Sequence, residues 1–237
     1  MIPRRFIQFI LFIGALGILQ GSASAAQVAP KAPALKDSNF QGAGVLPTYD
    51  FKGETYVILA RENGGNDQGT WDSFGGSKDQ GEDHPQTTAT REFDEETKGL
   101  LEDFIDLDDK STEIIVRTRH GGSSFVLYIA PLSSKFCMKT FGHKFHNKKT
   151  FGKYNEKDCL AAVKLSDFKK TISTAQRDQK THQFEHIAMT ARVYNPSNSG
   201  FFQNQTITLR PPLVWSLQPY FQGKTGIQGK DTRASFY

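Results

Sequence analysis

Residues 75–101 read GGSKDQGEDHPQTTATREFDEETKGLL. Within them Glu92, Glu95 and Glu96 stand at i, i+3 and i+4, positions that share one face of a helix. The spacing predicts a helix over residues 86–98. Pro85 sits at its start, where a missing N–H costs nothing, and Ala89, Phe93 and Leu100 lie at apolar spacings of four and seven. Three carboxylates on one face repel one another, so the face is costly unless a positive charge fills it. A hard cation such as Mg²⁺ prefers carboxylate oxygens and often holds substrate phosphates at the same time. Glu82, on the preceding loop, can reach the same face. Gly75 and Gly76 let the backbone turn tightly and approach a ligand, and a Gly76 carbonyl can supply another oxygen. Arg91 neighbours the glutamates in sequence but points about a quarter-turn away. The bland alternative is an acidic amphipathic helix with a solvated face. It accounts poorly for two glycines, Glu82 and the RE-x-x-EE grouping occurring together.

Outward from this stretch, strands and helices alternate. Residues 55–60 (TYVILA) are β-branched and aromatic, as a buried strand requires. Residues 63–69 (NGGNDQG) form a turn, and 71–74 lead into the glycines. Further strands are predicted at 113–117, 125–130, 159–165, 186–194 and 206–209. A short helix is predicted from Ser166-Asp167 and a last one over 211–221. This order predicts an α/β fold, a mixed sheet with helices on both faces.

The central stretch resembles the signature of the Nudix family: G, five residues, E, seven residues, R-E, an apolar residue, any residue, E-E, any residue, G. Here Gly76 is followed by five residues and Glu82, and Arg91-Glu92-Phe93-Asp94-Glu95-Glu96-Thr97 matches the core. Eight residues rather than seven separate Glu82 from Arg91, with Asp83-His84 read as a loop insertion. Lys98 stands where the closing glycine belongs, and Gly99 follows. The resemblance implies the Nudix fold, a mixed β-sheet sandwiched between α-helices. It also implies a hydrolase that cleaves a diphosphate linkage in a nucleoside diphosphate derivative, using Mg²⁺ or Mn²⁺. By position, Gly76, Glu92, Glu95 and Glu96 belong to the metal site, Glu82 assists in that site or orients its neighbours, and Arg91 is structural, pairing with a glutamate to fix the helix. The catalytic set is Glu92, Glu95, Glu96 and a base outside the helix, with Asp158 and Glu156 as candidates beside Glu92. Nudix enzymes are often dimers, so a homodimer belongs to the same expectation. The rival from another class is a non-catalytic Nudix-like nucleotide-binding module; retention of all three glutamates favours the enzyme.

Composition agrees with a globular chain: 37% hydrophobic and 23% charged residues leave enough apolar material for a core. A formal charge of +4 does not by itself argue for nucleic acid. Arg4-Arg5, an apolar run over 6–19 and the small residues Ala23-Ser24-Ala25 match a secretory signal peptide, with cleavage after Ala25 or Ala26. The apolar run is short for a membrane span. The expected organisation is therefore a signal peptide (1–25), an extended leader (26–45), the hydrolase domain (46–222) and a flexible tail (223–237). The product would be exported, periplasmic or extracellular, with no stable membrane span in the mature form. Residues 135–155 carry six lysines, five aromatic rings and no acid. They read as a basic hairpin with one packed face, or alternatively as a phosphate- and base-contacting insertion beside the site. An enzyme acting on nucleic-acid ends has only this segment in its favour. Cys137 and Cys159 form either one disulfide or two free thiols, and with His143 and His146 they offer an irregular zinc alternative. Asn204-Gln205-Thr206 matches a glycosylation acceptor.

Overall fold

Along the 55–60 run, Tyr56, Ile58 and Ala60 are buried in one core and Val57 and Leu59 in another. That is the period of two of a strand covered on both faces. A computed structural model describes residues 40–107, 112–117, 124–178, 187–198 and 201–223. Its strands are β1 (Phe40–Phe51), β2 (Glu54–Glu62), β3 (Trp71–Asp72), β4 (Phe74–Ser77), β5 (Thr112–Arg117), β6 (Ser124–Pro131), β7 (Lys157–Lys164), β8 (Ile187–Asn195) and β9 (Phe201–Leu209). The helices are α1 (Pro85–Glu96), α2 (Met138–Asn147), α3 (Leu165–Thr174) and α4 (Pro211–Phe221). The strands join in the order β3-β9-β8-β7-β2-β1-β6-β5, with β4 laid on β1. β1–β6 and β3–β9 are parallel and the other pairings antiparallel, so the sheet is mixed.

One face of the sheet buries Ala89 and Phe93 of α1 with Met138, Phe141 and Phe145 of α2. The other buries Phe168 and Ile172 of α3 with Leu213, Val214 and Leu217 of α4. The α/β expectation, a mixed sheet sandwiched between helices, holds.

Two expectations need correction. Residues 40–45 are not leader: β1 begins at Phe40, and its residues from Gly42 to Thr48 are buried. The domain's sheet therefore starts before residue 46. Gly42, Gly44 and Pro47 read as loop formers, but each suits its place. Thr48 O accepts from Leu132 N–H at 2.7 Å on the β6 side, so Pro47 turns to the other edge. There the register passes from β4, ending at Val45, to β2, starting at Thr48. No partner asks for an N–H at Pro47. Second, the basic segment is no hairpin. Met138, Phe141, Gly142 and Phe145 make a buried helical stripe at i, i+3, i+4 and i+7, and that stripe is α2. Of the alternatives left open for Cys137 and Cys159, the structure holds free thiols, and the zinc alternative gains no support among the described residues. The expected signal peptide (1–25), residues 26–39 of the expected leader and residues 224–237 lie outside the described residues.

Candidate active site

β1 sets the seat of the site. It runs so close to β4 that a Cβ on Gly44 would lie 2.5 Å from Phe74 O, and one on Gly42 2.3 Å from Gly76 O. β4 in turn carries α1: the rings of Phe74 and Phe93 meet edge to face at 5.4 Å. A Cβ on Gly76 would sit 2.5 Å from the Glu92 carboxyl carbon. The helix face bearing the glutamates is thus pressed onto the Gly75–Gly76 backbone, and Gly75 N–H donates to Glu96 Oε2 at 2.7 Å.

Arg91 reaches back across the face despite its offset on the helical wheel. Its Nε donates to Glu82 Oε1 at 2.8 Å, Nη1 to Glu92 Oε1 at 2.9 Å and to Glu95 Oε2 at 3.3 Å, and Nη2 to Ser77 O at 2.8 Å. Arg91 therefore ties three carboxylates to the Ser77 carbonyl. Glu82 Oε2 is further held by Thr88 Oγ1 at 2.6 Å and Asp79 N–H at 2.9 Å. The Arg91 guanidinium, with these donors, holds the Glu82 carboxyl down to about 2. Both Glu82 oxygens accept from protein donors, so of its two expected roles, assisting in the metal site or orienting its neighbours, the geometry favours holding Arg91.

The three glutamates are all buried. Burial raises Glu92 against the opposing pull of Arg91. Lys153, from the 3₁₀ turn Gly152–Asn155, bonds Oε1 of Glu95. Glu96 lies deepest, its Oε1 3.2 Å from Lys157 Nζ. Burial pushes its carboxyl up to about 8, with Lys157 opposing the shift. Lys157 is only 2% exposed and also bonds Glu62 Oε1 at 2.5 Å. Burial alone would lower its ammonium, but the Glu96, Asp72 and Glu62 carboxylates override that and raise it. Arg210 extends the chain of charges, at 3.6 Å from Glu62, 3.0 Å from Asp72 and 2.6 Å from Asp67.

Each glutamate is thus turned onto a protein cation rather than converged on one point. The donor set still fits a hard divalent ion: three carboxylates on adjacent positions of one face, and a seat at Gly76 where a Cβ would press on the Glu92 carboxylate. Asp158 is the weaker of the two candidate bases outside the helix. Arg61 grips both its oxygens in a fork at 2.8 Å each, which leaves them poorly placed to take a proton. Glu156 is exposed and its charge contributes to raising Glu92, so it remains a candidate. The displaced closing glycine is accommodated as well. Lys98 and Gly99 both have left-handed backbones, φ 62° and 64°. Lys98 Nζ lies 4.2 Å from the Phe145 ring centroid and bonds Phe145 O at 3.2 Å, fastening α2 to the end of α1.

Lys157, Glu62 and Arg210 were not legible as site residues. They come from three distant segments, and no spacing rule links them. Lys153 belonged to the basic segment singled out above, without anything to single it out there.

The NUDIX domain family model matches residues 39–183, more than half of the 237-residue chain. Comparison with curated proteins finds no match. Among solved structures, the chain is similar to a C. elegans Ap4A hydrolase in a binary complex, at 17% identity and TM-score 0.39, covering 55% of this chain and 84% of that one. It is similar to the NUDIX domain of Shewanella oneidensis NrtR complexed with ADP ribose, at 15% identity and TM-score 0.36, covering 61% and 83%. It is also similar to a NUDIX hydrolase from Nitrosomonas europaea, at 13% identity and TM-score 0.37, covering 88% and 82%. Likenesses this weak carry no argument about substrate.

Proposed function

Because this chain belongs to the NUDIX domain family, we propose that it is an exported, divalent-metal-dependent hydrolase of a diphosphate linkage in a nucleoside diphosphate derivative. The observation that carries this reading is the intact set Glu92, Glu95 and Glu96 on one face of α1, seated on Gly75–Gly76. Those carboxylates, with the Gly76 carbonyl, would hold Mg²⁺ or Mn²⁺. Such ions neutralise phosphate charge and place a water in line with the bond to be cut.

The chain's own residues supply the rest. Arg91, fixed by Glu82 and Ser77 O, keeps Glu92 and Glu95 facing the same side. Lys157 and the Gly75 N–H hold Glu96 by one oxygen each. Glu92 or the exposed Glu156 takes the proton from the attacking water. Export rests on the N-terminal segment alone; mass spectrometry of the secreted chain should find its start near Ala26 or Gln27, and an intact Met1 would refute cleavage. Among the described residues no helix is long and apolar enough to cross a membrane.

The deciding experiment offers the protein ADP-ribose, dinucleoside polyphosphates, nucleotide sugars, NADH and nucleoside triphosphates, with and without Mg²⁺, beside Glu95→Gln. Metal-dependent turnover of one class, lost in the variant with the fold intact, is the expected result. Equal turnover in the variant would refute the site. Tight binding of one class without turnover would replace the enzyme with a nucleotide-binding module.

A further inference from the structure

Of the cations on the glutamate face, two are fixed in place. Arg91 is tied to Glu82 and Ser77 O, and Lys157 is buried between Glu62 and Glu96. Lys153 is different. Its ammonium bonds Glu95 Oε1 while its side chain remains 53% exposed and that of Glu95 only 6%. A deeply set carboxylate is thus neutralised by a cation whose stem stands in solvent. The backbone beneath that stem is well anchored. Thr150 Oγ1 donates to Tyr154 O at 2.6 Å and Asn63 Nδ2 to Asn155 O at 2.9 Å. Asn63 N–H donates to Glu156 O at 2.8 Å. The side chain can therefore swing while its root stays beside the site.

A divalent cation at Glu95 Oε1 would compete there with the Lys153 ammonium for the same carboxylate charge. We propose that Lys153 is the resident counter-cation of the site. It holds Glu95 until the metal ion arrives and is then handed to the phosphate oxygens of the bound substrate. The idea rests on the hydrolase reading above. It gives one residue two opposite effects: competition with the metal in the free protein, and assistance to anion binding once the metal is in place. A merely structural contact would not split in that way. With the Lys153 side chain half in solvent the pair is screened, so each effect should be about two- to fivefold.

The test is calorimetry on the full chain with Mn²⁺ alone, then with inorganic pyrophosphate in saturating Mn²⁺. Lys153→Met should bind Mn²⁺ about two- to fivefold more tightly and pyrophosphate correspondingly more weakly. Lys153→Arg should stay near the parent in both. Lys149→Met, which removes an exposed charge from the same basic segment, should not reproduce the split. Unchanged or weaker Mn²⁺ binding in Lys153→Met overturns the proposal, as does the same pattern in Lys149→Met or Lys153→Arg. If instead Glu95→Gln binds Mn²⁺ as well as the parent does, the metal site itself is misassigned, and the two failures are told apart.

Discussion

Lys157 concentrates the residue-scale argument. Removing one partner of a buried ion pair leaves the other charge uncompensated, at a cost of roughly 3–5 kcal/mol. Here two carboxylates, Glu62 and Glu96, would lose the same partner. Lys157→Met should therefore lower the free energy of unfolding in urea by about 3–5 kcal/mol. Adding Glu62→Gln should return part of that loss, because one stranded charge is gone. A single-variant loss below about 1 kcal/mol, the range of exposed pairs, would mean that water reaches this network. The glutamates themselves were legible in the sequence because their spacing encodes a shared face. Lys157 was not, because only the folded sheet brings β7 beneath α1. Asp158, its neighbour, is a candidate base by its place before a strand; the fork from Arg61, 97 residues earlier in the chain, counts against that role, and only the fold shows it.

At the scale of elements, α1 and β1 show opposite sides of what a pattern can tell. α1 was readable from carboxylate spacing, an apolar face and Pro85, all local signals. β1 was hidden because its glycines serve a neighbour rather than itself. They admit the β4 backbone, and only the pairing reveals why they are there. α2 was misread because lysines obscured a four-residue buried stripe. The glycines on β1 and β4 should also fail differently. A Cβ at Gly44 meets backbone, Phe74 O at 2.5 Å and Gly75 Cα at 2.9 Å. Strand separation would have to change, so Gly44→Ala should cost about 1–3 kcal/mol of stability. A Cβ at Gly76 meets only the tip of a side chain, the Glu92 carboxylate. That tip can move aside, so Gly76→Ala should keep nearly the parent melting temperature. Turnover should still fall by roughly a hundredfold, the scale expected when a site group is misplaced by about 1 Å. Equal melting temperatures for the two variants would contradict this division.

For the whole molecule, the boundary of the matched family region raises a sharper question than the fold class. That region ends at residue 183, whereas β8, β9 and α4 lie between Ile187 and Phe221. These later elements are part of the sheet and its covering. β8 pairs with β7 through Ala161 and Val193, and β9 pairs with β3 through Trp71 and Leu209. Ile207, Leu209, Leu213, Val214 and Leu217 are buried in the same core as Phe168 and Ile172 of α3. Burying each of these five side chains contributes about 1.5–3 kcal/mol. Together that is comparable to the whole stability of a typical domain, about 5–15 kcal/mol. Arg210, at the start of α4, also closes the charge chain at Asp67 and Asp72 and bonds Trp71 O through its own N–H at 2.9 Å. A chain ending at residue 183 would strip α4 from α3 and uncover part of the shared core, and would leave Asp72 without its guanidinium. It should therefore not unfold as one cooperative unit and should bind a dye specific for exposed apolar surface. A chain ending at residue 223 should melt in a single transition like the full protein. If the shorter chain also melted cooperatively, β8, β9 and α4 would be a separable appendage, and Arg210 would have no structural claim on the site.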